Sequence, residues 1–165
     1  MKRVIVIGCP GSGKSVFAKA LHQKTGIPLF HLDNLYWNAD QTTVDRDVFI
    51  QRLTDVLEKP EWIIDGNYLS TMEWRLQHCD TVFFLDIAAE VCIDGVQSRM
   101  GKPRSDLPWI ETQEDAEFMA FIRNFGTESR PEILALLAQH SDKTVHIFHN
   151  RKEANAFLGR AVSQT

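Results

Sequence analysis

Gly8-Cys9-Pro10-Gly11-Ser12-Gly13-Lys14-Ser15 follows the apolar run Val4-Ile5-Val6-Ile7 and leads straight into an amphipathic stretch, so it reads as strand, glycine loop, helix. The spacing G-x-x-x-x-G-K-[ST] in that context is a Walker A loop. Glycines there let successive backbone N–H groups turn inward, with no Cβ to keep phosphate oxygens away. The following helix adds unpaired amides and its positive dipole end. On this template Gly8, Pro10, Gly11, Ser12, Gly13, Lys14, Ser15 and Val16 hold a nucleoside triphosphate, with Lys14 at the β- and γ-phosphates and the Ser15 hydroxyl on Mg²⁺. Cys9 fills a small position in the cradle, where a helix N-terminus would depress its thiol pKa and make it oxidisable.

The rest of the composition narrows the class. A chain of 165 residues suits one domain over 1–165. Its 44% apolar and 24% charged residues are ordinary for a soluble globular protein. A net charge of −4 argues against a nucleic-acid platform, which needs Lys and Arg to neutralise phosphates, although a local basic groove stays open. No apolar run approaches the ~20 residues of a membrane span, and the four apolar residues after Met1-Lys2-Arg3 are too few for a signal peptide. The expected location is the cytoplasm. Three cysteines without C-x-x-C, and six histidines without H-E-x-x-H, indicate neither a disulfide framework nor a zinc site. Monomer and homodimer both remain open.

Taken in order, the apolar spacing predicts a helix from Gly13 to about Lys24, with Val16, Phe17, Ala20 and Leu21 on one face and Gly26 as its stop. A short strand, Leu29 to Leu32, ends on Asp33. Val48, Phe49, Leu53, Val56 and Leu57 keep helical spacing between Val44 and Lys59, and Trp62-Ile63-Ile64 is a second buried strand running into Asp65-Gly66-Asn67-Tyr68. A short helix covers Thr71 to His78, then Thr81 to Asp86 is a strand and Ala89 to Met100 a helix, with Val91, Cys92 and Val96 inward. Residues 101–109 have no period, two prolines and a glycine, which marks a loop or flap. Asp115 or Thr112 caps a helix through Phe125, and Ser129-Arg130-Pro131-Glu132 has the capping-box spacing that starts another. Val145 to Phe148 is the last strand and Lys152 to about Val162 the last helix. Alternating strands and helices mean an α/β domain with a parallel sheet, whose ligands sit at the carboxyl ends of the strands.

Phosphoryl transfer asks a protein for a cradle, a metal, a held acceptor and cations for the developing charge. Asp65, closing an apolar strand, is placed to hold Mg²⁺ through water; its alternative is a turn or capping aspartate. Asp33 is the candidate base or positioning group for an acceptor hydroxyl, with Tyr36 and Trp37 offering flat faces to a ring; its alternative is a turn aspartate beside core aromatics. Tyr68 and Trp109 belong to the same expected acceptor wall. Asp86 reads as a helix cap. Arg99 precedes the aperiodic segment, Arg104 lies within it, and Arg123 and Arg130 lie beyond it; a cation closing over the γ-phosphate can be worth ~10³ to 10⁵ in rate, and the alternative is that they solvate helix ends. Arg75 is a further candidate for the acceptor.

With the Walker A loop, His31-Leu32-Asp33-Asn34-Leu35-Tyr36-Trp37 and Ile63-Ile64-Asp65-Gly66-Asn67-Tyr68 in view, the chain resembles adenylate-kinase-like nucleoside and nucleotide kinases over essentially its full length. More narrowly it is similar to the DNA topology modulation, or FlaR-type, group, on Cys79-Asp80 before the fourth strand and Arg130-Pro131 before the penultimate helix. The resemblance implies a P-loop NTPase fold with a five-stranded parallel sheet of order 2-3-1-4-5, helices on both faces and a short lid at about 100–112. It implies ATP and Mg²⁺ as cofactors, Asp33 on the acceptor side, Asp65 on the metal side, Arg99 and Arg123 as catalytic lid and post-lid arginines, and Asn150 and Arg151 near the adenine. Asp65-Gly66 is not followed by Phe-Pro-Arg as in true adenylate kinases, and the lid is short. A small hydroxylated or nucleoside-like acceptor therefore fits better than AMP. The expected activity is an ATP- and Mg²⁺-dependent phosphotransferase; the rivals are a nucleotide-binding regulator of DNA topology and an ATPase whose lid admits water.

Overall fold

The apolar runs are too hydrophobic to leave a face in water, so they pair as parallel strands covered by helices on both sides. The computed structural model describes residues 1–161. Its strands are β1 (Arg3–Gly8), β2 (Leu29–His31), β3 (Trp62–Asp65), β4 (Thr81–Leu85) and β5 (Thr144–Phe148), in the parallel order β2-β3-β1-β4-β5. Central β1 has Val4 to Ile7 at 0% exposure, with Ile5 in register between Ile64 and Val82. The helices are α1 (Lys14–Thr25), α2 (Leu32–Tyr36), α3 (Arg46–Leu57), α4 (Leu69–His78), α5 (Ala89–Arg99), α6 (Ala116–Gln139) and α7 (Arg151–Ala161). Gly26 ends α1 in the left-handed region at φ 74°, and the Asp115 carboxylate caps α6 by accepting from the amides of Glu117 and Phe118. Among the described residues no helix is long and apolar enough to cross a membrane. The expected last turn at Val162 lies outside the described residues.

Four expectations need correction. The strand after Pro28 stops at His31, and Leu32–Tyr36 is a short helix, so Asp33 sits in a helical first turn instead of at a strand end. No helix starts at Ser129. α6 runs unbroken through Pro131, because Met119, Ile122, Phe125, Ser129, Ile133 and Leu137 form one continuous buried stripe that outweighs the missing proline N–H. Asp86 does not cap α5; it pairs with Arg130 Nε at 2.9 Å. Val16, Val48 and Val91 face outward, at 76%, 41% and 40% exposure.

Candidate active site

The glycine loop leaves β1 and enters α1 through two residues that only glycine tolerates. Gly11 has φ 82° and Gly13 φ 95°. A Cβ on Gly11 would also collide with the Cys92 carbonyl of α5. The mouth of the loop is clamped from the turn after β3, where the Asn67 side chain accepts from the Gly8 amide at 3.0 Å and donates to the Gly8 carbonyl at 2.5 Å. Arg151, opening α7, donates to the Gly11 carbonyl at 2.9 Å. These elements wall a cavity of about 570 Å³ lined by Gly11, Gly13, Lys14, Ser15, Val16 and Arg151. Exposed Val16 is therefore a cavity wall, not a core residue.

A second cavity, of about 1020 Å³, opens on the other side of Lys14. Asp33 lines it, and its Oδ1 accepts from the Tyr68 hydroxyl at 2.5 Å. Burial raises the Asp33 pKa, and Asp65 and Asp106 add to the rise, while the Tyr68 hydrogen bond and Lys14 oppose it; the net shift is upward. Burial and the Asp33 charge likewise raise the Tyr68 phenol, which stays a donor. Tyr68 has a left-handed backbone, φ 37°. That strained turn is held by Arg75, which is fully buried and donates to the carbonyls of Gly66, Asn67 and Tyr68. Arg75 thus does not reach an acceptor: its guanidinium is spent on the loop that presents Tyr68, and burial lowers its pKa only to about 9. Trp37 and Trp109 meet edge to face at 5.3 Å across the cavity, with Phe118 and Phe121 further along the wall. Tyr36 stands behind, packed edge-on against Tyr68 and Phe49.

Lys14, Arg99 and Arg104 line both cavities. The two arginines come from the end of α5 and from the irregular segment that connects it to α6. There Arg104 donates to Asp106 at 3.0 and 2.5 Å and to Glu111 at 2.8 Å, while Arg99 lies 3.3 Å from Glu111. The Asp106 Oδ2 accepts from the Ser15 hydroxyl at 2.9 Å, tying this segment to the glycine loop. Burial would raise the Asp106 carboxyl, but Arg104, Ser15 and His31 bring it down to about 2.

Other expected site residues fall elsewhere. Asp65 is 3% exposed and lines neither cavity; Oδ1 meets His31 Nδ1 at 2.8 Å, and Oδ2 is buried without a hydrogen-bond partner among the described residues. Burial would lower the His31 pKa, but the bond to Asp65 and the charges of Asp65, Asp106 and Asp33 outweigh it and raise it. Arg123 is exposed in mid α6, away from both cavities, and Arg130 is engaged with Asp86. Asn150 caps α7 by accepting from the Glu153 amide at 2.9 Å, so it is a helix cap where an adenine contact was expected. Cys9 is the reverse of an activated thiol: a hydrogen bond with Cys92 and burial both raise its pKa. Asn67, His31 and Asp106 join the site without a motif role that singles them out. Asn67 stood inside a quoted motif, whereas Asp106 lies in a stretch with no period to mark it.

The hard oxygen donors at the cavity wall, Ser15 Oγ and Asp106 Oδ2, fit magnesium, which takes few protein ligands beside phosphate and water. Among the described residues no three His, Cys, Asp or Glu side chains converge as a self-sufficient metal site.

No protein-family model matches the chain. Adenylate kinase of Thermotoga neapolitana is 28% identical over 88 residues, covering 52% of this chain and 39% of the relative. Adenylate kinase of Thermotoga maritima is 25% identical over 122 residues, covering 70% and 54%. The chain thus spans about half or less of the length of these relatives. Among solved structures, shikimate kinase from Acinetobacter baumannii in complex with shikimate superimposes with a TM-score of 0.63 at 14% identity, covering 100% of this chain and 95% of that one. Shikimate kinase from Bacteroides thetaiotaomicron gives 0.55 at 17% identity, covering 99% and 97%. The fold is that of the P-loop NTPases, and the sequence likeness to adenylate kinases is weak and covers part of their length.

Proposed function

We propose that the chain is an ATP- and Mg²⁺-dependent phosphotransferase acting on an uncharged, ring-bearing alcohol of nucleoside-like chemistry. The observation that carries this reading is the pair of cavities sharing Lys14, Arg99 and Arg104. Cations at the junction of a donor and an acceptor cavity stand where charge develops as a phosphoryl group crosses between them. Asp33, on the acceptor side, takes the hydroxyl proton; Tyr68 occupies its Oδ1 and leaves Oδ2 for the alcohol. The alcohol oxygen then bonds to the γ-phosphorus, the bridge to the β-phosphate breaks, and ADP leaves with that electron pair. Magnesium, when bound, offsets charge on the β- and γ-phosphates. Residues 100–112 act as the lid that excludes water, and Arg151 lies over the nucleotide.

Beyond the three shared cations, the acceptor wall offers aromatic rings and the carboxylates of Glu111, Glu114 and Asp115, with no further Lys or Arg among the described residues. An anionic acceptor such as a nucleoside monophosphate would have to share Lys14, Arg99 and Arg104 with the phosphates of the donor. The ordered motifs resemble those of the FlaR-type group, which supports this reading. The test is ADP release from ATP over matched alcohols, nucleosides against their monophosphates. Acceptor-stimulated release is expected with the uncharged member and lost in Lys14→Ala. Release independent of any acceptor would mean an ATPase instead.

A further inference from the structure

The Walker serine supplies one protein oxygen to a metal, and P-loop sites draw a second from a carboxylate. Asp65 is the carboxylate that the strand pattern offers, yet it is bonded to His31 and lines neither cavity. Asp106 does line the donor cavity. It is 6% exposed, and its Oδ2 lies 2.9 Å from Ser15 Oγ. Two neighbouring ligands of an octahedral magnesium ion, each about 2.1 Å from it, are separated by about 3.0 Å. The hydroxyl and the carboxylate, joined by a hydrogen bond of 2.9 Å, are spaced so that both could ligate one such ion without moving apart.

We infer that Asp106 is a magnesium ligand carried by the segment between α5 and α6, paired with Ser15, so that metal binding fastens this segment over the donor cavity. The inference rests on nucleotide binding at the glycine loop as proposed above. Arg104 neutralises Asp106 through two hydrogen bonds, one of them to the same Oδ2. With the metal on that oxygen, Arg104 is released toward the phosphates that both cavities adjoin. One carboxylate thereby couples the metal, the cation and the closing segment. Arg104 is a competitor for the ligand oxygen in this scheme, not a support for it.

That opposition supplies the test. Affinity for ADP is measured first without metal, and Mn²⁺ is then titrated into the protein–ADP complex while the free-ion paramagnetic resonance signal is followed. Asp106→Asn keeps the shape and the Ser15 contact but loses the charge. It is expected to bind ADP normally without metal and to bind Mn²⁺ about tenfold or more weakly in the complex, as ligand-shell losses do. Arg104→Gln frees the carboxylate and is expected to bind Mn²⁺ at least as tightly as the unaltered protein. Unchanged Mn²⁺ affinity in Asp106→Asn would overturn the inference. Equal weakening in both variants would overturn it too, because it would reduce Asp106 to a structural tie. Failure of the unaltered protein to bind ADP at all would instead count against the nucleotide site on which the inference depends.

Discussion

Asp33 owes its chemistry to opposed neighbours. Burial, Asp65 and Asp106 push its pKa up, while Tyr68 and Lys14 pull it down, leaving a carboxylate more basic than an exposed one. As a base for an alcohol it should matter to transfer and not to the nucleotide: Asp33→Asn is expected to keep ATP affinity and lose about 10²- to 10⁴-fold in turnover. Normal turnover in that variant would remove it from the reaction. Tyr68→Phe takes away a hydrogen bond that lowers this pKa, so the acid limb of kcat/KM should move to higher pH. A stationary limb would mean that another group takes the proton. At this scale the residues legible in the sequence were those fixed by a motif, Lys14 and Ser15, and the acid beside an aromatic pair, Asp33. Arg75 was misjudged because a sequence shows a charge but not the three carbonyls that consume it. Asp106 acquires its role only from the fold of an irregular segment.

At the site α5 packs tightly against the glycine loop. Gly95 faces the loop so tightly that a Cβ would collide with the Gly11 carbonyl and crowd Arg151. In an exposed helix, glycine to alanine normally stabilises by about 1 kcal/mol. Here the sign should reverse: Gly95→Ala is expected to cost about 1 to 3 kcal/mol, as overpacking does, and to weaken nucleotide binding by displacing the loop. Denaturant unfolding beside ADP titration reads both, and a stabilised variant with normal affinity would refute the contact. Strands and long helices were legible because their apolar period is set by burial. α2 was not, since five residues carry too little period to separate a turn of helix from the end of a strand. α6 was cut in two because Pro131 is a local signal, whereas the stripe that overrides it runs from Met119 to Leu137 within a helix of 24 residues.

Across the whole molecule, the charges gathered at one sheet edge make stability depend on pH in two directions. His31 has a raised pKa, so its contribution is complete below its ordinary value of about 6.5 and is lost as pH rises through the higher folded value. Asp106 is depressed, so its contribution is present above about 3.9 and is lost as pH falls through the folded value. Stability should therefore peak in mildly acidic solution. Denaturant unfolding should show the fall toward pH 8 flattened in His31→Gln; an unaltered fall would place its cause elsewhere. The parallel topology and the P-loop were legible from the alternation of strands and helices around one motif. The division into two cavities was not, because Lys14, Arg99 and Arg104 come together only through the path taken by residues 100–115. The central claim is that phosphate crosses between those cavities. It is tested most directly by incubating the protein with γ-labelled ATP and uncharged nucleoside-like alcohols, then asking where the label resides. Label in a phosphate ester of the alcohol, absent with Lys14→Ala, is the result this account predicts. Label found solely in inorganic phosphate, at a rate indifferent to the alcohol, would contradict it.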